Sequence, residues 1–375
     1  MAVSVRSAAQ TNAAPFVDFQ RDVWESDYQR ELLPKGQELC SMEKRNASMT
    51  RGIFLFWRCG LLALLYNFAR ALCVAALSPE HPPVRPADAA SPVLIWDIDP
   101  AKASALPRNF RTTEDLPKNE TDESFENAGL KELRASGSGQ FTADNLKLVL
   151  ARTRGPVTVF DLRQETHIFI NGLPASWFAT HDWANVGRSR AAIETEETAQ
   201  VQLLKPGSEV SIRFGEPVKK GRRDAAVPQR VTIHYVNTER DLVETAGARY
   251  VRIPVTDHVR PMDEEVDRFI LAAREMPPDG WAYFHCEAGR GRTTTFMVLY
   301  DMLRNAARIS LEAIVRRQKL LGDGYDVLAP VAPGNWKAPY IADRIAFVRA
   351  FYDYARANPN GRPRLWSEWL KTGGQ

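Results

Sequence analysis

Apolar runs bounded by turn residues punctuate the second half of the chain. Trp281-Ala282-Tyr283-Phe284 is short, continuous and apolar, which reads as a buried strand. Thr294 to Leu303 behind it reads as a helix. Val157-Thr158-Val159-Phe160 and Tyr250-Val251-Arg252-Ile253-Pro254-Val255 read as further strands. Asp144 to Arg152 reads as a helix with Leu146, Val149 and Leu150 inward. Asp263 to about Arg274 places Val266, Phe269, Ile270 and Ala273 on one face, with Asp263 as its cap. Ser310 caps a helix that runs to Leu321 and ends at Gly322. Arg316, Arg317 and Lys319 on that helix read as surface residues, or as a wall of the pocket, since the region lies downstream of the helix at 294. Asn335-Trp336-Lys337 and Tyr340 open a last helix through Tyr354. Strands alternating with helices predict an α/β fold. Between about 188 and 248 the pattern changes. Val201 to Leu204, Ser211 to Phe214 and Val231 to Val236 read as short strands, a small β module inserted in the α/β domain.

The first 92 residues differ again. Residues 1–50 are polar and without periodicity, so they read as a flexible tail or as sequence upstream of the true start. Ile53 to Leu77 is apolar but broken by Arg58 and Arg70, which makes a poor membrane-spanning helix, and stable membrane insertion is not expected. Taken from Met49, it reads as a secretory signal: Arg51 is the charged region, Cys59 to Phe68 the core, and Val74-Ala75-Ala76 a cleavage site. An amphipathic helix packed on the domain is the alternative. Pro79, Pro82, Pro83, Pro86 and Pro92 make 78–92 a linker. The chain thus divides into 1–92, with its targeting-like stretch at about 49–77, and a folded domain over 93–375.

Composition narrows the partners. The chain has 375 residues, 44% hydrophobic and 25% charged, with a net charge of +3. This is ordinary for a globular protein. The small charge does not imply nucleic-acid binding, so any electrostatic function must come from local clustering. Cleavage near Ala76 would remove Cys40, Cys59 and Cys73 and leave Cys286 with no partner for a disulfide. No Cys/His spacing suggests zinc, and nothing calls for a cofactor. The oligomeric state is not legible.

The chemistry concentrates between the strand at 281 and the helix at 294, in His285-Cys286-Glu287-Ala288-Gly289-Arg290-Gly291-Arg292-Thr293. A loop there can turn its backbone N–H groups inward as an anion nest, and the following helix N-terminus adds positive partial charge. Gly289 and Gly291 permit backbone angles that a Cβ would obstruct. Arg292 can fork two hydrogen bonds onto a phosphate. Cys286 at the base of the nest is expected as a thiolate, placed for in-line attack on phosphorus. Thr293 can hydrogen-bond the sulfur and ease its departure. His285 braces the loop. A buried structural cysteine beside a capping loop is the plainer reading, and the whole set of residue types outweighs it.

His-Cys-x-x-Gly-x-x-Arg-Thr resembles the signature loop of the protein-tyrosine-phosphatase superfamily. The longer string through Thr294-Thr295 is similar to the phosphatase-like inositol phosphatases, the cysteine phytases. The resemblance implies a phosphatase-like core, a central sheet flanked by helices, with a small inserted partial β-barrel beside the site. It also implies that Glu287, Ala288, Gly289, Arg290 and Gly291 line the bound phosphate. Position 290 departs from the pattern, where a small or apolar residue is expected.

Three further segments carry the same likeness. Leu106-Pro107-Arg108-Asn109-Phe110-Arg111-Thr112 looks like a family segment whose arginine reaches the substrate, which makes Arg111 a candidate contact. Asp161-Leu162-Arg163-Gln164-Glu165-Thr166-His167, with Asn171-Gly172 and Trp183-Ala184-Asn185-Val186-Gly187 downstream, makes Asp161 and Arg163 organisers or contacts of the pocket. Thr256-Asp257-His258-Val259-Arg260-Pro261 matches the general-acid loop. An inositol or serine alkoxide leaves poorly without a proton, and Asp257 would supply it. His258 would meet a neighbouring phosphate. Lys219-Lys220-Gly221-Arg222-Arg223 reads as a mostly solvated face that would steer a polyanion if it borders the pocket. Lys337 is a weaker contact candidate.

The expected function is a metal-independent phosphomonoesterase acting on myo-inositol hexakisphosphate and lower inositol polyphosphates through a phosphocysteine. The alternatives are a protein-tyrosine or dual-specificity phosphatase with the same chemistry, and a dead phosphate-binding module, against which the intact Cys286, Arg292 and Asp257 argue. The expected location is secreted or periplasmic. The alternative is a bacterial effector translocated by its polar first 50 residues.

Overall fold

The computed structural model describes residues 92–98, 105–115, 117, 125–215, 219 and 227–374. The tail, the apolar stretch at 49–77, the linker up to residue 91 and residues 220–223 of the basic cluster lie outside the described residues.

In chain order the strands are β1 (Val93–Trp96), β2 (Arg111–Thr112), β3 (Ala135–Ser138), β4 (Val157–Arg163), β5 (His167–Ile170), β6 (Leu173–Phe178), β7 (Glu209–Phe214), β8 (Gln229–Thr232), β9 (Val236–Asn237), β10 (Arg249–Val255) and β11 (Trp281–His285). The helices are α1 (Ala143–Leu150), α2 (Arg190–Leu203), α3 (Glu239–Thr245), α4 (Asp263–Arg274), α5 (Gly291–Asn305), α6 (Leu311–Leu321), α7 (Ala338–Ala357) and α8 (Trp366–Lys371). Among them no helix is long and apolar enough to cross a membrane.

Five strands form the central sheet in the order β10-β4-β11-β3-β2. The first four are parallel, and β2 runs against β3. Both faces of β11 are buried, which is why it reads as an unbroken apolar run. Phe284 pairs with Phe160 and His285 with Asp161, so β11 ends two residues short of the end of β4, and both deliver their next residues to one rim. On one face Phe160, Phe284, Phe269 and Phe296 pack together, the first two stacked at 4.8 Å and the last two edge-on at 5.2 Å. Phe141, Phe169, Trp281 and Tyr283 fill the other. Helix α5 is buried from Arg292 to Leu303. It lies so close to β3 that a Cβ on Gly137 would meet Met297 Sδ at 2.5 Å and Thr293 Cγ2 at 2.7 Å.

The second sheet has the order β8-β7-β1-β6-β5-β9. Its strands come from 93–96, 167–178 and 209–237, so it is not built from 188–248 alone. The expected strand at Val201–Leu204 belongs to the end of α2 instead. Residues 190–202 are rich in Ala, Glu and Gln, good helix formers, and Ser189 Oγ caps the helix by accepting from the Ala192 N–H. Residues 231–236 divide between β8 and β9. Helix α4 has the expected bounds, but its cap position is Met262 and makes no side-chain cap. Asp263 instead accepts from Arg260 at 3.0 Å and from Trp366 Nε1 at 2.6 Å.

Arg317, expected at the surface, is fully buried with Asp301. Its Nε donates to Asp301 Oδ2 at 2.7 Å, its Nη2 to Asp301 Oδ1, and its Nη1 to Ala128 O at 2.9 Å. Asn305 and Gln318 also donate to that carboxylate, at 3.0 and 2.8 Å. The cluster ties α5 and α6 to the segment before β3. Removing one partner of such a pair strands a buried charge. Arg317→Ala is therefore expected to cost about 3–5 kcal/mol of unfolding free energy, measured by urea denaturation. A loss below about 1 kcal/mol would contradict this account of the cluster.

Candidate active site

Cys286 stands one residue past β11, 2% exposed, on the floor of the turn into α5. Its Sγ accepts from the Gly289 N–H at 3.3 Å and lies 3.1 Å from Thr293 Oγ1, which is also 3.2 Å from Ser138 O. The single hydroxyl hydrogen of Thr293 serves one of these acceptors at a time. Gly289 has φ +74°, and a Cβ there would lie 2.3 Å from Gly139 N and 2.5 Å from Ser138 C. The turn therefore requires glycine at 289 and presses onto the end of β3. Gly291 is different. A Cβ there would meet nothing closer than Tyr325 Oη at 3.5 Å, so neither space nor backbone angle demands the glycine. Arg290 occupies the cap position of α5 without a side-chain cap, so the leading N–H donors of the helix have no partner from that source. Those donors and the helix dipole favour an anion above Cys286.

Arg292, in the first turn of α5, is fixed by a carboxylate the sequence did not single out for it. Its Nη1 donates to Glu165 Oε2 at 2.7 Å and to Val255 O at 3.2 Å, and its Nη2 donates to Glu165 Oε1 at 3.0 Å. This end-on grip leaves the Nε–H and the second Nη2–H, the side-on fork that fits two oxygens of a phosphate. Arg292 Nε has no hydrogen-bond partner and lies 3.3 Å from Asp257 Oδ1. Burial raises the pKa of Glu165, but Arg292 and Arg163 outweigh it and hold the carboxyl down at about 2.

Asp257 and His258 sit beyond the end of β10. His258 Nε2 is 3.0 Å from Asp257 Oδ2, and His258 takes φ +68°. The Asp257 carbonyl accepts from Trp183 Nε1 at 3.1 Å. Burial pushes the Asp257 pKa up, yet Arg292 and His258 overcome it and keep the carboxyl well below the usual range.

A second row of buried charges stands behind the turn. His285 Nε2 is 2.6 Å from Glu239 Oε1. Glu239 Oε2 is 3.2 Å from His167 Nε2 and accepts from Gln140 at 2.8 Å. His167 Nε2 is 3.4 Å from Asp161 Oδ2, which accepts from Tyr250 at 2.7 Å and pairs with Arg252 at 3.4 Å. Asp161, His167 and Glu239 place ligand atoms within 4.8 Å of one another, a spacing that suits a metal ion. Arg252 faces the same cluster, and both ring nitrogens of His167 face acceptors, Nδ1 the Glu165 carbonyl at 2.8 Å and Nε2 the Glu239 carboxylate at 3.2 Å. Burial lowers the His167 pKa, but Asp161 and Glu239 overcome it and carry the pKa up to about 10.

The remaining sequence candidates separate into those at the rim and those beneath it. Asp161 and Arg163, expected as organisers or contacts of the pocket, are both 0% exposed, a placement that suits the organising role. Arg163 donates to Asp97 and Gln140 at 2.7 Å and to Glu165 at 2.9 Å, so it orders the layer that holds Arg292. Arg111 is also buried. Its Nη1 donates to Gly289 O at 2.7 Å and its Nη2 to Thr294 Oγ1 at 2.9 Å, which makes it a brace under the turn. Asn109 supports the same turn by donating to Ala288 O at 3.0 Å. Glu287 lies between Lys219 at 3.2 Å and Arg108 at 3.5 Å. Lys219 also stands 3.7 Å from Asp182, whose carboxyl burial pushes up to about 7 despite that lysine. Arg290 is half exposed and paired with Asp323 at 2.5 Å. Lys337 lies over the Trp336 ring at 5.3 Å, at the mouth of α7. Glu165, Glu239, His167 and Asp182 carry no role in the sequence reading. Glu165 and His167 stand in the string it quoted, but nothing local marks their distant partners.

The sign of the pH dependence follows from these pairs. The raised His167 pKa adds stability that is fully present below about 6.5 and lost as pH climbs toward about 10. The lowered Glu165 pKa adds stability present above about 4.5 and lost as pH falls toward about 2. Unfolding free energy, measured by urea denaturation between pH 6.5 and 9, is expected to fall more steeply in the wild type than in His167→Gln. The slopes should differ by up to about 1.4 kcal/mol per pH unit. Parallel slopes would contradict a protonated His167.

Comparison with known proteins bears on this arrangement. A family model named PTPlike_phytase and described as inositol hexakisphosphate matches residues 160–304. The effector protein hopD2 of Pseudomonas syringae pv. tomato is 34% identical over 280 residues, 74% of this chain. The chain spans 59% of that relative's length. The structure of a PTP-like phytase from Bdellovibrio bacteriovorus is 38% identical, with a TM-score of 0.63 over 77% of this chain and 98% of its own. The PTP-like myo-inositol phosphatase from Mitsuokella multacida, solved in complex with myo-inositol-(1,3,4,5)-tetrakisphosphate, is 33% identical, with a TM-score of 0.68 over 77% of this chain and 50% of its own. With its central sheet flanked by helices and the cysteine turn at the sheet's rim, the chain belongs to the PTP-like phytase family.

Proposed function

We propose that this protein is a cysteine-dependent phosphomonoesterase that hydrolyses inositol polyphosphates, phytate among them. The observation that carries the reading is Cys286 Sγ on the floor of the turn into the uncapped start of α5, with Arg292 in the first turn of that helix close enough for sulfur anion and guanidinium to attract each other. A phosphate seated there takes two hydrogen bonds from Arg292 and the rest from backbone amides. The Cys286 thiolate attacks phosphorus as the bond to the inositol oxygen breaks. In the free protein Asp257 is ionised and paired with Arg292 and His258. An arriving phosphate competes for Arg292 and brings negative charge beside Asp257, which raises the carboxyl's hold on a proton. Asp257 then gives that proton to the leaving alkoxide. In the second half it takes a proton from water, the water oxygen attacks phosphorus, and the sulfur leaves as a thiolate that Thr293 stabilises by hydrogen bonding.

Arg108, Lys219 and Arg290 stand around the turn, each engaged with a carboxylate that a highly anionic substrate can replace. That ring of cations supports an inositol polyphosphate over a phosphate ester with a single apolar stem. A second reading, a protein-tyrosine or dual-specificity phosphatase, is favoured by one observation, the kinship with an effector protein. The same kinship supports delivery of this chain as a translocated effector over export by a leader at 49–77.

Phosphate release from phytate is expected without added metal and unchanged by chelator, and Cys286→Ser is expected to abolish it. Equal or faster turnover of phosphotyrosine by the wild type would favour the second reading. Glu165→Gln is expected to lower kcat/KM on phytate at least about 100-fold, mostly through kcat, since misplacing a catalytic group by about 1 Å costs that much. A steady-state value within about 3-fold of wild type would contradict the role given to Glu165.

A further inference from the structure

We infer that Trp336 is a positioning residue for the Asp257 loop, holding the acid through two neighbours that lean on one exposed ring. The inference rests on the phosphatase reading above. Trp336 stands just before α7 and is 40% exposed. Its ring stacks on His181 with centroids 3.7 Å apart and planes 28° from parallel. It meets Trp183 edge-on at 5.7 Å and His258 edge-on at 5.4 Å. Those last two residues are the ones that grip Asp257. Trp183 Nε1 donates to the Asp257 carbonyl at 3.1 Å, and His258 Nε2 lies 3.0 Å from its carboxylate.

The backbone under the ring needs support. His181, Asp182 and His258 have φ of +64°, +61° and +68°, the left-handed region that residues with a Cβ adopt only where their surroundings hold them. Two of the three carry rings that touch Trp336. Trp183 also packs edge-on against Tyr340 at 5.3 Å, so removing the indole would loosen the 181–183 turn together with the 257–258 turn and weaken both the carbonyl anchor and the carboxylate anchor of the acid. Trp336 touches no reacting atom in this scheme, so its effect must pass through Asp257.

This gives a signature that general loosening of the fold does not. A proton from Asp257 matters for a leaving group that departs poorly as an anion and matters little for one that departs well. The test uses the full chain and a series of aryl phosphates, from p-nitrophenyl phosphate to unsubstituted phenyl phosphate, with Asp257→Asn as the benchmark. Trp336→Ala is expected within about 3-fold of wild type in kcat/KM on p-nitrophenyl phosphate. On phenyl phosphate it should fall roughly 10-fold or more, part of the roughly 100- to 10,000-fold that general acid–base catalysis supplies. Trp336→Phe, which keeps a ring, should recover most of the loss. Equal losses across the series, or none, would overturn the inference. A wild type that turns over none of the esters overturns the phosphatase reading and this inference with it. Activity on the esters without activity on phytate overturns only the inositol assignment and leaves the ratio test in force.

Discussion

The site depends on one ion pair. Arg292 is buried at the head of α5, and Glu165 grips it end-on through two hydrogen bonds from a different strand connection. A buried guanidinium without that partner would be costly to keep and free to turn. With it, the planar group is held at one edge, and the other edge, at Nε, stands 3.3 Å from Asp257. Glu165 is itself held by Arg163, which in turn reaches Asp97 at 2.7 Å. Orientation at the rim is thus inherited from a chain of fully buried charges rather than from the turn alone.

The same economy governs the other side of the turn. His285 precedes Cys286 and contacts Glu239; Glu239 contacts His167, His167 reaches Asp161, and Arg252 pairs with both Asp161 and Glu197. Each carboxylate in this row has a cation or a donor next to it, so none is left as a bare buried charge. The row lies at the shared ends of β4, β10 and β11 and ties those strands to the second sheet through β5. Two kinds of order result. Aromatic packing on both faces of the central sheet sets the strands, and paired charges at their carboxyl ends set the chemistry.

How much of this was legible follows from where the information lies. The turn from His285 to Thr293 could be read because its residue types act locally, on their own backbone and on the helix they begin. Helix α4 could be read to its last residue because its apolar face repeats with helical period. Helix α2 could not. Val201, Leu203 and Leu204 look like a strand in a short window, and the Ala- and Glu-rich stretch before them decides the outcome. Asp161 and Arg163 read as organisers or contacts of the pocket, and the string could not show that both are fully buried. Glu165 and Arg292 are 127 positions apart, and Trp336 meets His181 across an even longer stretch. No periodicity joins such pairs. The demand for small residues at Gly137 and Gly139 likewise comes from elements that meet only in the fold.

The account's central claim is that phosphate passes through the sulfur of Cys286. Its most direct test is to mix Asp257→Asn protein with p-nitrophenyl phosphate, whose leaving group departs without a proton, quench within milliseconds to seconds, and measure intact and peptide masses. The account predicts one added phosphoryl group, located on the peptide that carries Cys286, and none in protein that also carries Cys286→Ser. Phosphate release with no such adduct at any time, or an adduct on another residue, would contradict it.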